Sequence, residues 1–273
     1  MSIILKENKK FFESVALTTY SHSSFKDILD IYFLQLSKFL PQINGYLLID
    51  KLASKIPNNQ QAIFYNDNFS YCKHMIDGIK NIKEDYIIYM QDDFFLLGKP
   101  DLHILTKSLS KINSEELDFI RLIRSGDMGK INFPINKIYY KIPRSSDSLF
   151  SMQATLWKKS SLDKLFKTAY NKYPNDNIWE SEQRLNQFAQ ELNLKGLFLY
   201  NNEKKRGKNH WDSNYFPYIA TAIVKGEWNF MEYKTELMEI LTSNKIFTNR
   251  SFNISGAMKK IPTLINYYIK LLK

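Results

Sequence analysis

The residues best placed by type and spacing to do chemistry are two adjacent carboxylates, Asp92 and Asp93. They lie in YIIYMQDDFFLL (86–97), where an apolar and aromatic run leads into them and four apolar residues follow at once. An aspartate pair after a strand can be a plain turn or a helix cap. Here the chain does not run out into solvent after the pair, so both carboxylates are expected at a sheet edge with little freedom. Two carboxylates that close repel each other unless a cation sits between or beside them. Oxygen ligands of this kind suit Mg2+ or Mn2+, and such an ion in turn holds phosphate oxygens. The pattern points to a divalent metal carrying a diphosphate.

The elements that must position this pair are short apolar strands alternating with amphipathic helices. VALTTY (15–20) reads as a first strand, and 25–40 as a helix with Ile28, Leu29, Tyr32, Leu36 and Phe39 on one face. YLLID (46–50), AIFY (62–65) and FIRLI (119–123) read as further strands, with a helix at about 70–82 before YIIYM. Pro100 and Asp101 can open another helix. This alternation predicts an α/β fold with a mainly parallel sheet covered on both faces. In such sheets ligands sit beyond the carboxyl ends of the strands. That places Thr19, Tyr20, Ser21, Asp50, Asn66 and Asp67 beside Asp92 and Asp93. In the second half, SMQATLW (151–157) reads as a strand, Lys158 to Ala169 as a helix, and about 177–192 as a helix behind an Asn175–Asp176 cap.

The chain has 273 residues, 44% of them hydrophobic, enough for a substantial core. Its formal net charge of +10 suggests a polyanionic partner. Part of that excess is a tail property, because no acidic residue follows Glu239. The single cysteine, Cys72, excludes an intrachain disulfide and suits a reducing compartment. No signal peptide and no membrane-spanning run is read, so the expected location is the cytoplasm.

The string YIIYMQDDFFLL resembles the Asp-x-Asp-type motif of GT-A glycosyltransferases, and more narrowly bacterial and viral enzymes that build surface polysaccharides such as capsule or lipopolysaccharide. Three further stretches are similar to segments of that group: SMQATLW (151–157), IWESE (178–182), with Ser181 where an aromatic is usual, and FPYIATAIVKGEWN (216–229), with Glu227 where Lys is usual. The resemblance spans about residues 15–240. It implies a single GT-A-like catalytic domain over 1–240, with a nucleotide-binding half at about 12–125 and an acceptor half at about 126–240.

What the resemblance implies for chemistry is sugar transfer from a nucleotide-sugar donor to a glycan or lipid-linked acceptor. Thr19, Tyr20, Ser21, Asp50, Asn66, Asp67 and Asp92 would receive the nucleotide, and Asp93 with Asp92 would ligate Mn2+ or Mg2+, which neutralises the leaving diphosphate. His210, in KKRGKNHW, is a possible third ligand. An inverting transfer needs a base near the acceptor hydroxyl. Glu180 lies four residues before Arg184, the spacing of a surface ion pair, so Glu182 is preferred, with Asp176 and Glu180 behind it. Ser151 and Gln153, on one strand face, and Trp179, as a stacking platform, are expected to meet the acceptor. The basic run 204–208 is a candidate closing loop over the diphosphate.

Residues 241–273 form a basic segment, in which 257–273 combine lysines with an apolar helical face. That suits either peripheral attachment to an anionic membrane, at its inner face, or packing on the domain. Two other functions compete. A sugar nucleotidyltransferase would use the same aspartates, but TTYSHSSF lacks the glycine-rich loop such enzymes carry. A nucleic-acid-binding protein would explain the charge, but no nucleic-acid module is recognisable, so no nucleic acid is expected as partner.

Overall fold

The structure is a computed structural model and describes residues 2–126, 134–246 and 248–253. The expected helical tail at 257–273 lies outside them. In chain order the strands are β1 Val15–Tyr20, β2 Gly45–Ile49, β3 Gln60–Phe64, β4 Tyr86–Gln91, β5 Phe119–Arg121, β6 Tyr139–Lys141, β7 Thr155–Lys158, β8 Gly196–Leu199, β9 Lys205–Arg206, β10 His210–Trp211, β11 Ile223–Val224 and β12 Glu227–Trp228. The helices are α1 Ser2–Ser14, α2 Lys26–Phe39, α3 Tyr71–Ile79, α4 Leu102–Ser114, α5 Lys159–Lys172, α6 Ile178–Glu191 and α7 Phe230–Ser243.

Eight strands make one sheet in the order β3-β2-β1-β4-β7-β5-β8-β6. β1 pairs in parallel with β2 and β4, β2 with β3, and β5 with β8; β7 and β6 run antiparallel to their neighbours. The α/β class with a mainly parallel sheet is as expected from the alternation of elements. β7 comes from the later part of the chain yet lies between β4 and β5, so the two expected halves share one sheet.

The sheet is buried on both sides because its strands alternate two apolar faces. Leu17, Leu47, Ile49, Ile88 and Met90 pack on one side with Ile28, Leu29, Tyr32 and Leu36 of α2 and with Leu105 of α4. Ala16, Tyr46, Leu48, Ile87 and Tyr89 face the other way, toward Met75 of α3, Phe166 of α5 and Phe188 of α6. Asp101 caps α4 by accepting the Ile104 N–H at 3.0 Å, the helix start anticipated at Pro100 and Asp101.

Three elements differ from the sequence reading. The strand expected at 151–157 is confined to β7, and Ser151 to Ala154 form the loop leading into it. β5 ends at Arg121 because Leu122 and Ile123 bend into a turn whose carbonyl and amide bond to Ser213 and Ala154 instead of a neighbouring strand. The basic run 204–208 is not a loose loop. It forms the β9–β10 hairpin, and Arg206 is fixed to Asp212, Glu236 and the Glu232 carbonyl. Among the described residues no helix is long and apolar enough to cross a membrane.

Candidate functional site

A cleft of about 910 Å3 opens at the carboxyl ends of β1 and β4. Tyr20, Ser21, Gln91, Asp92 and Asp93 line one half, and Ser125, Asp147, Ser148, Ser151, Gln153, Glu182, Asn186 and His210 line the other. The parallel pairing of β1 with β4 sets Tyr20 opposite Gln91, which brings Ser21 against the aspartates that follow. Ser21 Oγ donates to Asp92 Oδ2, and the Ile223 N–H donates to Asp93 Oδ2 at 3.2 Å.

These few donors do not offset the loss of water. Burial pushes the Asp92 carboxyl up to about 6, with the Ser21 hydroxyl pulling the other way. Burial, with the Asp92 charge added, pushes Asp93 up to about 7. Two carboxylates in this state present the hard oxygen donors that a divalent cation prefers, and a cation would remove the repulsion. Asp92 and Asp93 therefore fit Mg2+ or Mn2+. His210 also lines the cleft, but its Nδ1 lies 3.5 Å from Glu232 Oε2. It does not form a group of three ligand atoms with the aspartates within 4.8 Å.

One such group does exist among the described residues: His22, Asp50 and Asp67. Its geometry favours hydrogen bonding over coordination. His22 Nδ1 accepts the Ser24 N–H at 3.1 Å, so in the neutral ring Nε2 carries the proton. That Nε2 faces Asp67 at 3.5 Å and Asp50 at 3.8 Å. Asp50 also takes the Ser23 N–H and hydroxyl, each at 2.6 Å. Burial raises its carboxyl, but the Ser23 bonds and His22 outweigh it and the net shift is downward.

The other expected nucleotide contacts are placed differently. The Thr19 side chain turns into the core, where its hydroxyl lies 2.6 Å from the Tyr32 hydroxyl. Asn66 closes a turn by accepting the Asn68 N–H at 3.0 Å, and both Asn66 and Asp67 are exposed outside the cleft lining. The Tyr20 ring stacks on Tyr65, which in turn stacks on His74.

In the other half, the loop 148–153 is clamped from two sides. Arg121, 1% exposed, donates to the Ser148 carbonyl at 2.6 Å, the Leu149 carbonyl at 3.0 Å and Ser125 Oγ at 3.1 Å. From α6, Glu182 Oε1 accepts the Met152 N–H and Asn186 Oδ1 the Phe150 N–H, each at 3.0 Å. Residues 182 and 186 are one helical turn apart, so both reach the same loop. Gln153 is held by the Tyr218 hydroxyl at 2.8 Å and donates to the Ala220 carbonyl at 3.2 Å.

The three acids of the IWESE region separate cleanly. Glu182 lines the cleft. Glu180 is exposed and makes a reciprocal cap with Asn177, its N–H donating to Asn177 Oδ1 at 3.0 Å and its Oε2 accepting the Asn177 N–H at 3.2 Å. The anticipated Glu180–Arg184 pair is absent because Arg184 pairs with Asp176 and stacks on Tyr173. Asp176 thus stands outside the cleft lining, and the side chain of Trp179 lies outside the described residues. Sequence reading missed Arg121, Ser125, Asp147 and Asn186. The one available signal was Arg121, a charge inside the apolar run FIRLI.

No family model and no curated protein matches the chain. Among solved structures it is similar to Staphylococcus aureus TarS, at 13% identity and a TM-score of 0.47, over 92% of this chain and 42% of that one. The chain therefore spans less than half the length of that protein. It is also similar to a cytidylyltransferase from Leptospira borgpetersenii, at 15% identity and a TM-score of 0.42, over 88% of this chain and 99% of that one. The glycosyltransferase GlyE of Streptococcus pneumoniae is similar at 11% identity and a TM-score of 0.40, over 67% of this chain and 44% of that one.

Proposed function

We propose that the chain is a GT-A-like glycosyltransferase, a hexosyl- or related transferase, that moves a sugar from a nucleotide-sugar donor to a glycan or lipid-linked acceptor of a surface polysaccharide. The observation that carries this reading is that Asp92, Asp93 and Glu182 line one cleft. The aspartates would hold Mn2+ or Mg2+, which supplies positive charge for a departing diphosphate. Tyr20 and Ser21 flank them on the donor side. Glu182 keeps one carboxylate oxygen on the Met152 N–H, and its other oxygen is the group that would take the acceptor hydroxyl proton. Such a base acting on the acceptor accords with an inverting transfer. The basic tail at 257–273 would hold the protein on an anionic membrane where a lipid-linked acceptor resides.

The test is thermal unfolding against UDP, GDP, CMP and their sugars, with and without Mn2+. A ligand at 100 times its dissociation constant adds about 2.7 kcal/mol of stability. The expected outcome is a shift with one nucleotide class that requires the metal and disappears in Asp93→Asn. No shift with any member of the panel would overturn the reading.

A further inference from the structure

A row of side chains runs up β4 from the core into the cleft. Side chains alternate along a strand, so Ile87, Tyr89 and Gln91 share one face. Ile87 and Tyr89 are fully buried on it, in the core formed with α3, α5 and α6. Gln91, half-buried, is the member of the row that lines the cleft. Its Nε2 donates to the Tyr89 hydroxyl, and that hydroxyl bonds in turn to the hydroxyl of Tyr71 on α3. Tyr71 meets the Phe166 ring edge-on at 5.7 Å, so the two phenols form a packed support that holds one end of the Gln91 amide.

A primary amide carries two N–H donors and an acceptor oxygen. Tyr89 takes one donor of Gln91, and among the described residues nothing takes the other donor or Oε1. The surroundings give this half-used amide a place in the cleft. Asp92 follows it directly in the chain. On its other side is α6, which carries Leu185 and Phe188 into the same core as Tyr89. Glu182 precedes Leu185 by three residues, on the same helical face, and lines the cleft beside Gln91. Burial lifts the Tyr89 hydroxyl far above its ordinary value, the Tyr71 bond opposes this, and the Glu182 charge lifts it further. The Glu182 carboxylate is thus within electrostatic reach of the hydroxyl that holds Gln91. The amide lies between the aspartates and Glu182.

We infer that Gln91 is a specificity-determining residue for the transferred sugar: its remaining N–H and its Oε1 hold two neighbouring hydroxyls of the ring, and Tyr89 is the positioning residue that keeps the amide turned toward them. The inference rests on the transferase reading, in which the transferred ring sits between a diphosphate at Asp92 and Asp93 and an acceptor hydroxyl at Glu182. One donor and one acceptor on a fixed plane match two adjacent hydroxyls, the first accepting and the second donating. A phosphate, whose oxygens only accept, would leave Oε1 unpaired.

The experiment is calorimetric titration of the full chain with UDP-glucose, UDP-galactose, UDP-N-acetylglucosamine and GDP-mannose, each beside UDP or GDP, in Mn2+. Gln91→Met removes both polar ends at nearly constant volume. It should weaken binding of the donor that the parent accepts roughly tenfold, the loss of one to two neutral hydrogen bonds, and leave UDP or GDP affinity unchanged. Gln91→Asn, one methylene shorter, should show the same selective loss. Tyr89→Phe touches no substrate and should weaken donor binding about threefold, the cost of ordering one released side chain, again without effect on UDP or GDP. Unchanged donor affinity in Gln91→Met and Gln91→Asn would overturn the inference. So would an equal loss for donor and nucleoside diphosphate in variants that melt like the parent, since Gln91 would then serve the aspartates. Unchanged donor affinity in Tyr89→Phe would remove the positioning role. A parent that binds none of these ligands would overturn the transferase reading and the inference with it.

Discussion

Replacing Asp93 with Asn should make the metal-free protein more stable at pH 8 and no more stable at pH 4. Burial and the neighbouring Asp92 charge lift Asp93 from the ordinary 3.8 to about 7. The folded protein therefore holds a proton that the unfolded chain releases. Below about pH 4 both states are protonated and Asp93 carries no penalty. Between about pH 4 and 7 the unfolded chain ionises first, so its proton count falls below that of the fold and stability declines as pH rises. Above pH 7 the fold has ionised too and the penalty is constant. The full shift corresponds to about 4 kcal/mol at 1.36 kcal/mol for each pH unit. The carboxylate retains some contact with solvent, so about 2 kcal/mol is the expected gain for Asp93→Asn at pH 8. In a chain of this size that is roughly 4–8 °C in melting temperature. Asn keeps an oxygen to accept the Ile223 N–H, so the local bond survives. The assay is thermal unfolding of both proteins in a chelator, from pH 4 to 8. Parallel curves, or a variant less stable than the parent at pH 8, would refute the argument that the aspartates are destabilised without a cation. Mn2+ should then stabilise the parent and leave Asp93→Asn unchanged.

Two further outcomes follow from the packing and the second half of the cleft. Glu182→Gln preserves an acceptor for the Met152 N–H, so melting should change little while turnover falls by about 10²–10⁴, the usual range for a lost general base; full turnover would remove Glu182 from that role. Gly196→Ala places a methyl 2.0 Å from the Phe119 ring, in the fully packed pair β5–β8, and should cost about 1–3 kcal/mol in denaturant unfolding; a change within 0.5 kcal/mol would mean that the ring moves aside freely.

The sequence revealed the aspartate side of the cleft more fully than the side formed by the loop 148–153 and α6, for a physical reason. Asp92 and Asp93 stand out because two charges interrupt an apolar run, and the sheet rule places them at a strand end whatever the details. Ser21 follows from the same rule, applied to β1. Thr19 fails it because strand side chains alternate: Thr19 shares the face of Val15 and Leu17, which packs on α2, so its hydroxyl meets Tyr32. Asn66 and Asp67 fail because a turn residue satisfies its own backbone as readily as a ligand. On the loop side, neither Ser125 nor Asn186 belongs to a pattern. Each acts on a loop distant in sequence, at separations that no local periodicity records. The acids of IWESE illustrate the limit. Spacing proposed a Glu180–Arg184 pair, but the helix start needed Glu180 for Asn177, which left Arg184 to Asp176.

The two halves of the cleft are also held by different forces, and this bears on how each can change. The aspartate side is set by parallel strand register: Tyr20 opposite Gln91 fixes Ser21 against Asp92, and a register slip would disrupt two faces of core at once. The other side hangs on a loop whose backbone is gripped by side chains, Arg121 from β5 and Glu182 with Asn186 from α6. A loop fixed by side chains can be re-aimed by single substitutions that leave the sheet intact. Glu182 grips the loop with one oxygen and lines the cleft, so movement of the loop and placement of this carboxylate are coupled. Under the transferase reading proposed above, changes of acceptor would therefore arise at 148–153 and its clamps, while the aspartate pair and its strands stay constant.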